Sequence, residues 1–156
     1  MNTYAPILLA EDDEGDIFII RRALRAASIA NPLHIVRNGQ EAIQYLDGQG
    51  PYADRTKYPW PSLVLLDLRM PLADGFDVLA WLQRRRRPKD LDVVILSGTP
   101  DEADALRATE LGADAFYVKP RAYEDLVGVV RGIHERLNEM PEIEPWLPTV
   151  RGEARL

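Results

Sequence analysis

The 156-residue sequence has no cysteine, which excludes disulfides, thiolate nucleophiles and cysteine-ligated zinc. Only His34 and His134 remain as imidazole ligands, so any metal is expected to be a hard, oxygen-bound one. Long hydrophobic runs are also missing. The apolar stretch 5–10 is too short for a signal core and meets acidic residues at once, so a cytoplasmic protein without a membrane segment is expected. Basic residues are the scarcer sign, 19 against 25 acidic ones for a net charge of -6. Long-range steering therefore works against phosphate backbones and anionic membranes, and nucleic acid is a poor default partner. What is present is the balance of a single globular domain, 46% hydrophobic and 28% charged. That is too apolar for a disordered chain and too short for a two-domain dehydrogenase or a barrel of roughly 250 residues.

Ile7-Leu8-Leu9-Ala10, Leu63-Val64-Leu65-Leu66 and Val93-Val94-Ile95-Leu96 are short all-apolar runs. Such runs suit strands covered on both faces. Weaker strands fit at 33–36 and 115–118. Between them lies helical spacing: Ile20, Ala23, Leu24 and Ala27; then Ala42, Ile43, Tyr45 and Leu46 after Asn38 as N-cap; then Phe76, Leu79, Ala80 and Leu82. Thr99-Pro100-Asp101-Glu102 predicts a fourth helix with Thr99 as its cap, and Gly112 ends it. A last helix is expected over 122–137. Five βα units imply an α/β fold: a doubly wound, five-stranded parallel sheet flanked by five helices, with right-handed crossovers. The expected division is one domain over 1–137 and a C-terminal tail over 138–156.

Ligands of such sheets bind beyond the carboxyl ends of the strands. There the sequence places Glu11 and Asp12, Asp67, Ser97 and Gly98, and Lys119 and Pro120. Three carboxylates brought together would raise one another's pKa unless a cation relieved them, which makes an oxygen-loving divalent ion the physical corollary. Mg²⁺ suits it best, because this ion needs only one or two protein carboxylates and keeps waters that phosphate oxygens can replace. The set matches a phosphoryl group carried on one carboxylate. Asp67 would be the nucleophile and Lys119 a point charge for a phosphate oxygen. The Ser97 hydroxyl would donate a hydrogen bond, and Gly98 would leave space for the group. Asp12 would bind the metal directly and Glu11 through water, with Asp67 and the Arg69 backbone carbonyl completing the ligands.

The segments A-E-D-D, L-L-D-L-R-M-P, L-S-G-T and Y-V-K-P, in that order, resemble the receiver domain of bacterial two-component response regulators, over about residues 5–137. That resemblance implies the flavodoxin-like topology and a single-domain signalling switch rather than an enzyme, catalysing at most its own phosphorylation and dephosphorylation. It implies that Asp67 accepts phosphate from a sensor histidine kinase, and that Ser97 and Phe116 form the switch pair. The family often has tyrosine where Phe116 stands, so here the rotamer change would be read by packing. Arg69 occupies a place that tends to influence acyl-phosphate lifetime. E-D-D-E-G-D-I, V-R-N-G-Q-E-A and the loop ending Y-P-W-P also look like single-domain regulators that accompany bacterial phytochrome-type kinases, which would make the kinase partner a bacteriophytochrome. Output would pass to a downstream protein, or by phosphorelay to a histidine phosphotransfer protein.

Other readings compete. A small Mg²⁺-dependent phosphohydrolase of the haloacid-dehalogenase type would want an aspartate where Arg69 stands. The basic run 84–87 could contact nucleic acid, but cations at a helix C-terminus followed by Pro88 explain it. His34 is expected to be structural and His134 to lie at the surface. Ile17-Phe18-Ile19-Ile20 covers more of a helical wheel than one buried stripe needs. Ile17 or Phe18 is therefore expected to be partly exposed, and kinase docking is assigned to Ile17, Phe18 and Pro120. Ile143, Trp146, Leu147 and Val150 make the tail apolar enough to pack on its own domain or to support a homodimer.

Overall fold

Four consecutive apolar residues give a strand no polar face, so it must lie between two layers. The computed structural model, which describes residues 5–139, has this arrangement. Among the described residues the strands are β1 (Ile7–Ala10), β2 (Leu33–Val36), β3 (Leu63–Leu66), β4 (Asp92–Ser97) and β5 (Ala115–Val118). They alternate with α1 (Glu14–Ala26), α2 (Gly39–Asp47), α3 (Gly75–Arg84), α4 (Glu102–Glu110) and α5 (Tyr123–Glu139). All neighbouring strands are parallel, in the order β2-β1-β3-β4-β5.

Side-chain alternation divides the interior into two cores. Leu8, Ala10, Val64, Leu66, Val93 and Ile95 pack against Leu46 of α2, Phe76 and Leu79 of α3 and Ala108 of α4. Ile7, Leu9, Leu63, Leu65, Val94 and Leu96 pack against Ile20 and Leu24 of α1 and Val130 and Ile133 of α5. Ile17 belongs to this second core at 4% exposure, whereas Phe18 is 61% exposed. Ile17 is therefore not available for docking. It occupies the inward stripe one turn before Ile20, and Ile19 takes its place as the second exposed apolar residue on α1.

The Asn38 side chain accepts from the Glu41 amide and caps α2, and Gly112, at φ +98, follows α4. The α4 cap differs from the Thr99 expectation. Asp101 takes the position, its carboxylate accepting from the amides of Ala103 and Asp104. A carboxylate that reaches two orphan amides at a positive helix end outcompetes a hydroxyl two residues earlier.

The arginine run ends α3. Arg85 pairs with Asp47 and Arg87 with Asp114, which favours the helix-end reading over a nucleic-acid contact. His34, in β2, packs its ring against Tyr45 and Tyr58, and burial lowers its pKa. His134 is half-buried rather than at the surface. The long loop before β3 contains one 3-10 turn, Gly50–Tyr52. Arg55 pins this loop by donating to the carbonyls of Tyr45, Leu46 and Tyr58. Apart from 138 and 139 at the end of α5, the tail expected over 138–156 lies outside the described residues.

Candidate functional site

The register fixes where the strand-end residues meet. Ala10 pairs with Leu66, and Ser97 with Val118, so Glu11 and Asp67 leave adjacent strands at one level and Lys119 follows β5 beside Ser97. Ligand oxygens of Glu11, Asp12 and Asp67 lie within 4.8 Å of one another. Glu11 and Asp67 are buried while Asp12 is exposed. This acidic trio opens to solvent on one side, and its oxygen-only donor set fits a hard divalent ion.

Lys119 supplies the facing positive charge. Its ammonium donates to Glu11 Oε1 at 2.5 Å and to Asp16 Oδ2 at 2.8 Å, and lies 3.7 Å from Asp67 Oδ1. Burial alone would depress its pKa, but the bonds to Asp16 and Glu11 and the Asp67 charge raise it above the ordinary lysine value. Burial pushes Glu11 up to about 7, against the hydrogen bond from Lys119, and the Asp67 charge adds to the rise. Asp67 is likewise raised by burial, with Lys119 opposing. Three carboxylates thus share one ammonium, and positive charge is in deficit.

The Ser97 hydroxyl donates to the Thr99 carbonyl at 3.0 Å and accepts from the Thr99 amide. It is therefore engaged with its own loop and must give up the carbonyl to donate elsewhere. A Cβ built at Gly98 would meet nothing within 4 Å, in keeping with room for an entering group. Phe116, on β5, is half-buried against the α3–α4 core. The Arg69 amide lies 3.5 Å from Asp67 Oδ1, and its guanidinium donates to Asp104 of α4 at 2.5 Å.

Two backbone approaches hold the loop after β3. A Cβ on Gly75 would lie 2.5 Å from the Asp67 carbonyl oxygen, and one on Gly39 would lie 2.3 Å from that of Ala73. Glycine is required at both places for steric reasons. Between them Leu72 sits exposed at φ +67, a conformation that a branched side chain adopts only under constraint. Sequence reasoning assigned no role to Asp16 or Asp104. The E-D-D-E-G-D spacing contained a signal for Asp16, since it puts that carboxylate in the first turn after the acidic strand end.

A parallel sheet in this order, with an acidic trio and a lysine at the carboxyl ends of its strands, defines a receiver-type phospho-acceptor fold. Residues 7–131 match the response regulator receiver domain, and the chain belongs to that family. It is 35% identical over 144 residues to response regulator Rcp1 of Synechocystis, covering 92% of this chain and 90% of that protein. The manganese-bound form of Rcp1 superposes with a TM-score of 0.74 at 33% identity, covering 90% of this chain and 99% of that one. The phosphorylated cyanobacterial phytochrome response regulator RcpA gives 0.77 at 32% identity, covering 89% and 97%. RPA3017, a response regulator in red light signaling of R. palustris, gives 0.79 at 29% identity, covering 90% and 98%.

Proposed function

We propose that this receiver accepts a phosphoryl group on Asp67 from a sensor histidine kinase of the bacteriophytochrome type. The observation that carries the reading is Lys119, whose ammonium bonds Glu11 at 2.5 Å and faces Asp67 at 3.7 Å beside the acidic trio. The descriptions of RcpA as a phytochrome response regulator and of RPA3017 as a regulator in red light signaling support the kinase class. An Asp67 carboxylate oxygen attacks phosphorus of a kinase phosphohistidine. The P–N bond breaks with its electron pair left on the imidazole, which takes up a proton, and an acyl phosphate remains on Asp67.

Glu11, Asp12, Asp67 and the Arg69 carbonyl would hold Mg²⁺. When bound, this ion supplies the positive charge that the carboxylates lack and that phosphoryl oxygens require. Lys119 pairs with one phosphoryl oxygen, Gly98 leaves the path clear, and the Ser97 hydroxyl turns from Thr99 to donate to the group. Phe116 then repacks beside Ser97, shifting a pre-existing equilibrium of the α4 and β5 surface. Phe18, Ile19 and Pro120 form the kinase-facing patch. The kinase donor supports a cytoplasmic site of action; among the described residues no helix is long and apolar enough to cross a membrane.

Incubation with acetyl phosphate, with and without Mg²⁺, tests the acceptor by intact mass. Wild type gains one phosphate only with the metal and Asp67→Asn gains none; equal uptake by the variant at the same peptide removes the assignment. We also propose a homodimer supported by the apolar residues of the tail. Deleting 141–156 is then expected to halve the mass seen in light scattering, and an unchanged mass excludes the tail as the dimer contact.

A further inference from the structure

Arg69 connects the site to α4 by a route that avoids both Ser97 and Phe116. Its amide lies 3.5 Å from Asp67 Oδ1, while its guanidinium extends to the Asp104 carboxylate in the first turn of α4, at 2.5 Å. Asp104 is largely covered and Arg69 largely exposed, so the arginine is the partner free to move. Beneath them lies the Phe76 ring of α3, with Arg107 of α4 at 4.1 Å and Arg69 at 6.0 Å from its centroid. The ion pair therefore joins the acceptor loop to α4, with Arg69 and Arg107 both over the Phe76 ring of α3. Asp104 also bears on the like charges of Arg69 and Arg107 that crowd one ring.

We propose that Asp104 and a phosphoryl group on Asp67 compete for the Arg69 guanidinium, so that phosphorylation exchanges this ion pair and frees the first turn of α4. The inference rests on the reading of Asp67 as acceptor. A phosphoryl group offers three oxygens and more negative charge than a carboxylate, and the planar guanidinium is suited to bridging two of them. The arginine is anchored two residues from the acceptor, so its side chain needs only to swing back over its own loop. Released Asp104 keeps the favourable helix N-terminus and has Arg107 one turn away on its own helix. Asp104 is thus a positioning residue acting through Arg69. Because coupling is reciprocal, the phosphoryl group weakens the Asp104 contact by the same factor by which that contact weakens the hold on the phosphoryl group.

Beryllofluoride, a phosphoryl mimic, tests this with Mg²⁺ present by titration calorimetry on full-length protein. Asp104→Asn is expected to tighten its binding threefold or more, Asp104→Glu to restore wild-type affinity, and Arg69→Gln to weaken it. In the Arg69→Gln background, Asp104→Asn is expected to change affinity by less than 1.5-fold. Amide exchange over 102–107 should quicken when the mimic binds wild type, and should already be quick in Asp104→Asn. An Asp104→Asn effect of equal size in both backgrounds, or none in either, overturns the exchange. Equal binding of the mimic to Asp67→Asn overturns the acceptor assignment itself, and the exchange with it.

Discussion

Lys119 and Tyr45 are buried by the same fold to opposite electrostatic ends. The ammonium of Lys119 is retained because Glu11, Asp16 and Asp67 surround it, and its charge is what the strand-end acids need. Tyr45, fully buried in α2, keeps its proton instead. Its hydroxyl donates to the Pro59 carbonyl, and burial pushes its pKa up to about 12, with Arg55 opposing and Tyr52 and Tyr58 adding to the rise. The unfolded chain ionises near 10, so this contribution to stability is complete below pH 10 and declines as pH rises from 10 to 12. The loss approaches about 1.4 kcal/mol per pH unit. Tyr45→Phe should cost about 1 kcal/mol at neutral pH through the lost hydrogen bond, yet give a shallower decline in urea unfolding between pH 9 and 11. A variant that loses stability with pH as steeply as wild type would exclude Tyr45 as the source.

At the scale of elements, periodicity was informative where one force dominated. The strands 7–10 and 63–66 agree with the sequence reading to the residue, because an apolar run bounded by polar residues has few ways to bury itself; 33–36 and 115–118 agree as well, although as edge strands they are only partly buried. The start of α4 was misread because Thr99 and Asp101 both offer a capping oxygen within three residues, and only geometry decides which meets the amides. Ile17 is a different case: three residues before Ile20 and seven before Leu24, it falls on the stripe that the spacing already marks as inward, so its assignment to docking overlooked a phase the sequence contains. The acceptor loop has its own requirement at the first residue of α3. Gly75→Ala would drive a Cβ to 2.5 Å from the Asp67 carbonyl oxygen and 2.9 Å from Leu68 Cα. Overpacking of this kind costs about 1–3 kcal/mol, or roughly 2–4 °C in Tm for each kcal/mol. The displaced acceptor should also slow phosphate uptake from acetyl phosphate. A variant with unchanged melting and uptake would mean that α3 can slide without disturbing Asp67.

At the scale of the whole molecule, the strand-end residues were legible because parallel topology delivers every strand's carboxyl end to one edge. Glu11, Asp12, Asp67, Ser97 and Lys119 could be grouped before any coordinates. Asp104 could not, since its partner Arg69 is reached only where α4 meets the loop after β3, and for Asp16 the spacing signals a place in the first turn of α1 but not the bond to Lys119 beyond β5. Those contacts depend on helix rotation, which strand order does not determine.

The bond from Lys119 to Glu11 spans 108 positions of the chain. Its ends directly follow strands β5 and β1, which are separated in the sheet by β3 and β4. No fragment that lacks either end can assemble the charge cluster, so occupancy of the cluster is a readout of complete folding. Divalent ion binding should then act as a ligand of the native state alone, adding about 2.7 kcal/mol at a hundredfold excess over its dissociation constant. Melting curves across a Mg²⁺ titration should climb for wild type and stay level for Asp12→Asn combined with Asp67→Asn. A parallel rise in both would place the ion elsewhere on the surface. A receiver whose melting temperature tracks its metal in this way carries its own folding sensor at the switch.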